Sequence, residues 1–116
     1  MAVLRIVANL GAGNPTQSAA FYRDLFDLEI MMDHGWIVTL GSAASQTSQL
    51  SFASQGGGGT PVPHLSIEVD DLDVTLERAR AASVPIEYGP IKEQWGVTRF
   101  FIRDPEGRLL NILSHD

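Results

Sequence analysis

The chain has 116 residues, 44% hydrophobic and 19% charged, an ordinary balance for a single globular domain. It has no cysteine, which excludes disulfides and thiol chemistry. Its net charge of −6 argues against a nucleic-acid partner, whose phosphates require a basic surface, and mildly favours a cationic small molecule, although solubility is the preferred account of it.

In chain order, alternating apolar residues predict a first strand over 3–9. A helix over 15–26 follows, with a strong start: Asn14 can cap, Pro15 suits the first helical position, and Gln17 stands at capping-box spacing. Ala20, Phe21, Asp24, Leu25 and Leu28 then follow, mostly at helical spacing. Strands are expected near 29–33, 35–41 and 49–54. Residues 55–60 read Gln-Gly-Gly-Gly-Gly-Thr and precede Pro61-Val62-Pro63, so flexibility is followed by stiffness, as in a linker. Beyond it come a strand over 64–69 and a helix over 72–82. That helix is capped by Asp71, with Asp73 at its positive end and Arg78 and Arg80 at its negative end. Leu72, Leu76, Ala79 and Arg80 are expected along one side. Strands near 86–88, 97–102 and 109–113 complete the chain. Between the last two, Asp104-Pro105-Glu106-Gly107 is a turn with a mechanism: Pro105 presets φ, Asp104 hydrogen-bonds onward to the backbone, and Gly107 tolerates the closing geometry.

Each half therefore reads βαβββ, an architectural repeat with little shared sequence. The expected boundaries are 1–56 for the first module, 55–63 for the linker and 64–116 for the second, within one domain at 1–116. No apolar run is long enough to span a bilayer and no basic, apolar leader precedes the first strand, so the expectation is a cytoplasmic protein with no membrane partner.

Alternation sorts the strand faces. Leu65, Ile67 and Val69 share one face of their strand, and His64, Ser66 and Glu68 the other. Leu110 and Ile112 oppose Leu109, Asn111 and Leu113. The apolar face should lie under a helix, and the mixed face should line something else.

The segments at 19–29 (Ala19-Ala20-Phe21-Tyr22-Arg23-Asp24-Leu25 and onward), Asp33-His34-Gly35-Trp36, 64–71 (beginning His64 and ending Val69-Asp70-Asp71) and Asp104-Pro105-Glu106-Gly107 occur in order on this repeat. Together they resemble the vicinal oxygen chelate superfamily, which holds glyoxalase I, bleomycin and fosfomycin resistance proteins and extradiol dioxygenases. The resemblance implies an α+β fold of two βαβββ modules forming curved mixed sheets around a trough, usually in a homodimer, with a ligand pocket in each trough. In metal-dependent relatives four trough positions commonly supply ligands. The first falls on Arg5, whose guanidinium has no free lone pair; the neighbouring choices, Val7 and Asn9, are also poor donors. The next falls near Gln49, Leu50 or Ser51, none of them a carboxylate. His64 matches the second-module histidine, and Asn111 stands where the last carboxylate is usual.

One good donor in four does not make a site for a hard or borderline dication. The expectation is therefore a protein without a cofactor that binds a small organic molecule, as bleomycin resistance proteins sequester a drug. Its site would draw on Arg5, Trp36, Ser51, His64, Trp95, Arg99, Phe101 and Asn111. Trp36 is either a ligand contact or core, whereas Trp95 sits in a polar turn that favours exposure or ligand contact. Arg99 either clamps an anionic group or pairs with Glu87, and the pairing is the expectation. Met31-Met32 is expected in the core or an interface. Two alternatives stay open: a glyoxalase-like lyase or dioxygenase with one divalent metal ion on His64 and Glu68, and a non-catalytic dimeric interaction protein.

Overall fold

The computed structural model describes residues 8, 10–42, 44 and 51–116. The expected first strand, with Arg5, lies outside them apart from residue 8, as do Gln49 and Leu50 of the expected 49–54 strand. Among the described residues the chain is α+β, with two helices and six strands in curved sheets. It divides into two compact units, residues 1–54 and 55–116.

In the first unit, helix α1 (Pro15–Phe26) begins as its sequence dictates. The Asn14 side chain accepts from the Gln17 backbone N–H, Pro15 occupies the first turn, and Asp27 closes the helix in the left-handed region. The buried positions are Ala19, Tyr22 and Leu25, one residue round from the stripe anticipated at Ala20 and Phe21. Strands β1 (Glu29–Asp33) and β2 (Val38–Gly41) form an antiparallel pair. β1 is exposed along its length, so Met31 and Met32 are not core residues. Ser51–Ser54 carry no strand.

The second unit is a complete βαβββ module: β3 (Leu65–Glu68), α2 (Leu72–Ala81), β4 (Tyr88–Lys92), β5 (Val97–Arg103) and β6 (Leu109–His115). Its sheet runs β3-β6-β5-β4. β3 pairs parallel to β6 and the remaining pairs are antiparallel, so the sheet is mixed. β4 starts two residues later than the sequence suggested. Gly89 and Pro90 fall inside it, and the chain passes them as a bulge at the sheet edge, where proline is tolerated.

Register fixes the two faces. Phe100 and Ile102 of β5 pair with Ile112 and Leu110 of β6, which pair with Ile67 and Leu65 of β3. Helix α2 lies against β6 and buries Leu72, Thr75, Leu76 and Ala79; Arg80 is exposed rather than on that side, because its charge needs water. Phe100, Ile102, Leu110 and Ile112 are fully buried, each contributing about 1.5–3 kcal/mol of transfer free energy. The other face carries His115 beside Val97, Leu113 between Arg99 and Glu68, Asn111 between Phe101 and Ser66, and Leu109 beside Arg103.

The hairpin joining β5 to β6 is held by Asp104. Its carboxylate accepts from the Glu106 and Arg108 backbone N–H groups at 3.0 and 2.8 Å and from the Arg108 guanidinium at 3.0 Å. Gly107, at φ +81, closes the turn in the region glycine occupies without a steric penalty.

Candidate functional site

The mixed face of the second unit's sheet brings the chemistry-bearing side chains together. One row crosses it at Tyr88, Phe101, Asn111 and Ser66, placed by the register of β4, β5, β6 and β3. Asn111 is only 8% exposed. Its Nδ2 donates to Ser66 Oγ at 3.1 Å, while its carbonyl Oδ1 is buried with no hydrogen-bond partner among the described residues. An unsatisfied buried acceptor costs about 1–3 kcal/mol, so its place in the middle of a sheet face calls for a reason.

The next row along is built on Arg99. Arg99 is 3% exposed, and its guanidinium lies 4.8, 5.1 and 5.3 Å from the ring centroids of Phe101, Trp95 and Tyr88. At these distances all three rings attract the cation through their negative faces. Arg99 Nε donates to Glu93 Oε1 at 3.4 Å, and the Tyr88 hydroxyl donates to the same oxygen at 2.5 Å. That hydrogen bond first, and burial second, hold the Tyr88 phenol above its usual pKa of 10.0. The two terminal nitrogens reach main-chain carbonyls: Nη1 to Gly56 at 2.7 Å and Nη2 to Gly57 at 3.2 Å.

Arg99 therefore pairs with Glu93, not with Glu87. The register explains the correction. Glu87 N–H bonds to the Phe101 carbonyl, which brings Glu87 to Arg103, where the ion pair measures 2.6 Å. Glu93 N–H bonds to the Val97 carbonyl, two residues from Arg99 on the same face.

His64 precedes β3 and doubles its contact with Leu109: its backbone N–H donates to the Leu109 carbonyl at 2.8 Å, and its ring Nδ1 accepts from the Leu109 N–H at 3.1 Å. Nδ1 uses its lone pair there, so the neutral ring carries its proton on Nε2. Glu68 is exposed and lies 2.9 Å from His115 Nδ1.

A divalent ion does not fit these residues. His64 Nδ1 accepts from the Leu109 N–H, the Glu68 carboxylate faces His115, and Asn111 brings no charge. Among the described residues no three His, Cys, Asp or Glu side chains converge.

Of the residues singled out from the sequence, His64, Trp95, Arg99, Phe101 and Asn111 belong to the second unit. Trp95, Arg99 and Phe101 form one cluster, and Phe101 and Asn111 one row. Trp95 is 53% exposed. Trp36, 78% exposed, and Ser51, also exposed, belong to the first unit, and Arg5 is outside the described residues. Sequence reasoning missed Tyr88, Glu93, Gly56 and Gly57. Glu93 carried one signal: an acid two residues from Trp95 at a turn brings it back onto the following strand. The glycines carried none, because their composition also describes a linker.

A sequence profile of the Glyoxalase/Bleomycin resistance protein/Dioxygenase superfamily matches residues 4–112. No curated protein matches the chain. Solved structures share its fold. TnmS3, an antibiotic binding protein from Streptomyces sp. CB03234, is 18% identical, with 100% of this chain and 97% of that one covered and a TM-score of 0.69. TioX from Micromonospora sp. ML1 is 18% identical, with 96% and 95% covered and a TM-score of 0.65. Lactoylglutathione lyase from Agrobacterium tumefaciens is 22% identical, with 97% and 92% covered and a TM-score of 0.65.

Proposed function

Since the chain belongs to the Glyoxalase/Bleomycin resistance protein/Dioxygenase superfamily, we propose that it binds a small organic molecule on the mixed face of its second sheet and holds it without a metal and without chemistry. The observation that carries this reading is the Asn111 carbonyl, buried beside Phe101 and Ser66 and unpartnered among the described residues. A ligand N–H or O–H placed there removes the cost of the orphaned acceptor, and the half-buried Tyr88 ring, packed on the buried Phe101, adds flat apolar area. The antibiotic-binding description of TnmS3 supports sequestration as the use of such a face. In the same reading the protein is a cytoplasmic homodimer with no nucleic-acid partner. Among the described residues no helix is long and apolar enough to cross a membrane.

Thermal shift and calorimetry against metal-free bleomycin and a panel of planar aromatic natural products test the proposal. Saturable stabilisation by at least one compound is expected. Asn111→Leu should weaken that binding about tenfold, the loss of one hydrogen bond, without lowering the thermal stability of the free protein. No stabilising compound, or equal affinity in Asn111→Leu, would refute the site. Stoichiometric nickel, zinc, manganese or iron in the purified protein, lost in His64→Ala, would favour a lyase or dioxygenase instead.

A further inference from the structure

We propose that the Arg99 fork is a recognition site for an aromatic carboxylate, occupied in this structure by two main-chain carbonyls that stand in for the carboxylate oxygens. The inference rests on the reading that this face binds a small organic molecule, and it specifies part of that molecule.

Four observations support it. First, both terminal nitrogens of Arg99 are directed at two oxygens, Gly56 O and Gly57 O, at 2.7 and 3.2 Å. Two acceptors on one guanidinium fork are what a carboxylate supplies, with the added attraction of its charge. Secondly, the side chain is nearly fully buried among Tyr88, Trp95 and Phe101, so its hydrogen bonds are little screened by water. The single anion already present, Glu93, sits on Nε and leaves the fork to uncharged partners.

Thirdly, the group now filling the fork is a self-contained turn. Gly56 N–H bonds to Thr60 O, Thr60 N–H and Oγ1–H to Gly57 O, and Gly59 N–H to Gln55 Oε1. Among the described residues, every hydrogen bond that reaches this turn from outside it comes from Arg99. The turn can withdraw as a unit at the cost of two hydrogen bonds to uncharged carbonyls, which a carboxylate replaces with bonds charged on both sides. Fourthly, Gly57 seats against Trp95: at φ +89, an added Cβ would come within 2.9 Å of Trp95 Cζ2 and Cη2. Withdrawal of the turn therefore uncovers the six-membered end of an indole beside the fork, and a carboxylate on a flat ring matches that pairing better than an aliphatic acid.

Benzoate is the probe, with acetate as the aliphatic control. Fluorescence is read in a Trp36→Phe background, so that Trp95 is the remaining indole. Benzoate should change Trp95 emission saturably with a Kd of about 1–10 mM, and acetate should bind roughly tenfold more weakly. Arg99→Lys, which keeps the charge but loses the fork, should weaken benzoate at least about tenfold. Gly57→Ala strains the turn in its seat and should tighten benzoate roughly threefold; this surface variant decides the matter if Arg99→Lys does not fold. No saturable change, equal binding of acetate and benzoate, unchanged affinity in Arg99→Lys, or weaker binding in Gly57→Ala would each overturn the proposal. Benzoate reports on the Arg99 fork, and the compound panel on the Asn111 row. A panel that fails while benzoate still reports through Arg99 therefore defeats the sequestration reading alone, and the reverse result defeats only the carboxylate site.

Discussion

Tyr88, Glu93 and Arg99 share one carboxylate oxygen between a phenol and a guanidinium. The arrangement has a consequence in alkali. Hydrogen bonding to Glu93 first, and burial next, hold the Tyr88 proton more tightly folded than unfolded, raising its pKa above 10.0. A raised pKa stabilises the fold fully below the unfolded value and loses that contribution as pH climbs through the folded one. Denaturant unfolding at a series of pH values should thus show stability falling above pH 10.0 in the wild type. Tyr88→Phe should lack that component of the fall, and identical alkaline slopes in the two proteins would contradict the hydrogen bond. Asn111 presents the opposite case, an uncharged polar group whose carbonyl is unpaired. Its type was readable in the sequence as an amide in place of a carboxylate. That its Oδ1 is orphaned was not, because satisfaction of a polar atom depends on three strands meeting in one register.

At the scale of elements, what was legible followed from local rules. Asn14, Pro15 and Gln17 predicted the start of α1, and Asp71 that of α2, because caps are satisfied within a few residues of themselves. The Asp104 turn was legible for the same reason. β4 was misplaced because Gly89 and Pro90 locally break strands, and only pairing with β5 makes them a bulge. Gly89 stands at φ +75, and an added Cβ would lie 2.5 Å from the Arg99 carbonyl oxygen, a main-chain atom that cannot swing away. Gly89→Ala should therefore destabilise the protein by about 2–3 kcal/mol, measured by urea unfolding, and should perturb Trp95 emission through β5. A neutral outcome would mean that the bulge is not the conformation in solution. The turn at 55–60 makes the same point. Four consecutive glycines describe flexibility, yet the carbonyls of two of them are held by Arg99, more than 40 residues onward.

For the whole molecule, the metal-free reading makes a plain prediction. Dialysis against EDTA should leave the melting temperature and the benzoate response unchanged, because the core of Phe100, Ile102, Leu110 and Ile112 and the Asp104 hairpin hold the second unit without an ion. A fall in melting temperature reversed by one divalent ion would overturn that reading. Family membership and the βαβββ order of the second module were within reach of the sequence alone, as were the apolar and mixed faces of its strands. Each rests on periodicity or short-range chemistry, which a chain carries with it wherever it folds. What only the tertiary structure decided is who meets whom: Arg99 with Glu93 and two glycine carbonyls, Glu87 with Arg103, His64 with the backbone of Leu109. Those partnerships depend on strand register and on a bulge, where a shift of one residue exchanges the faces of a strand.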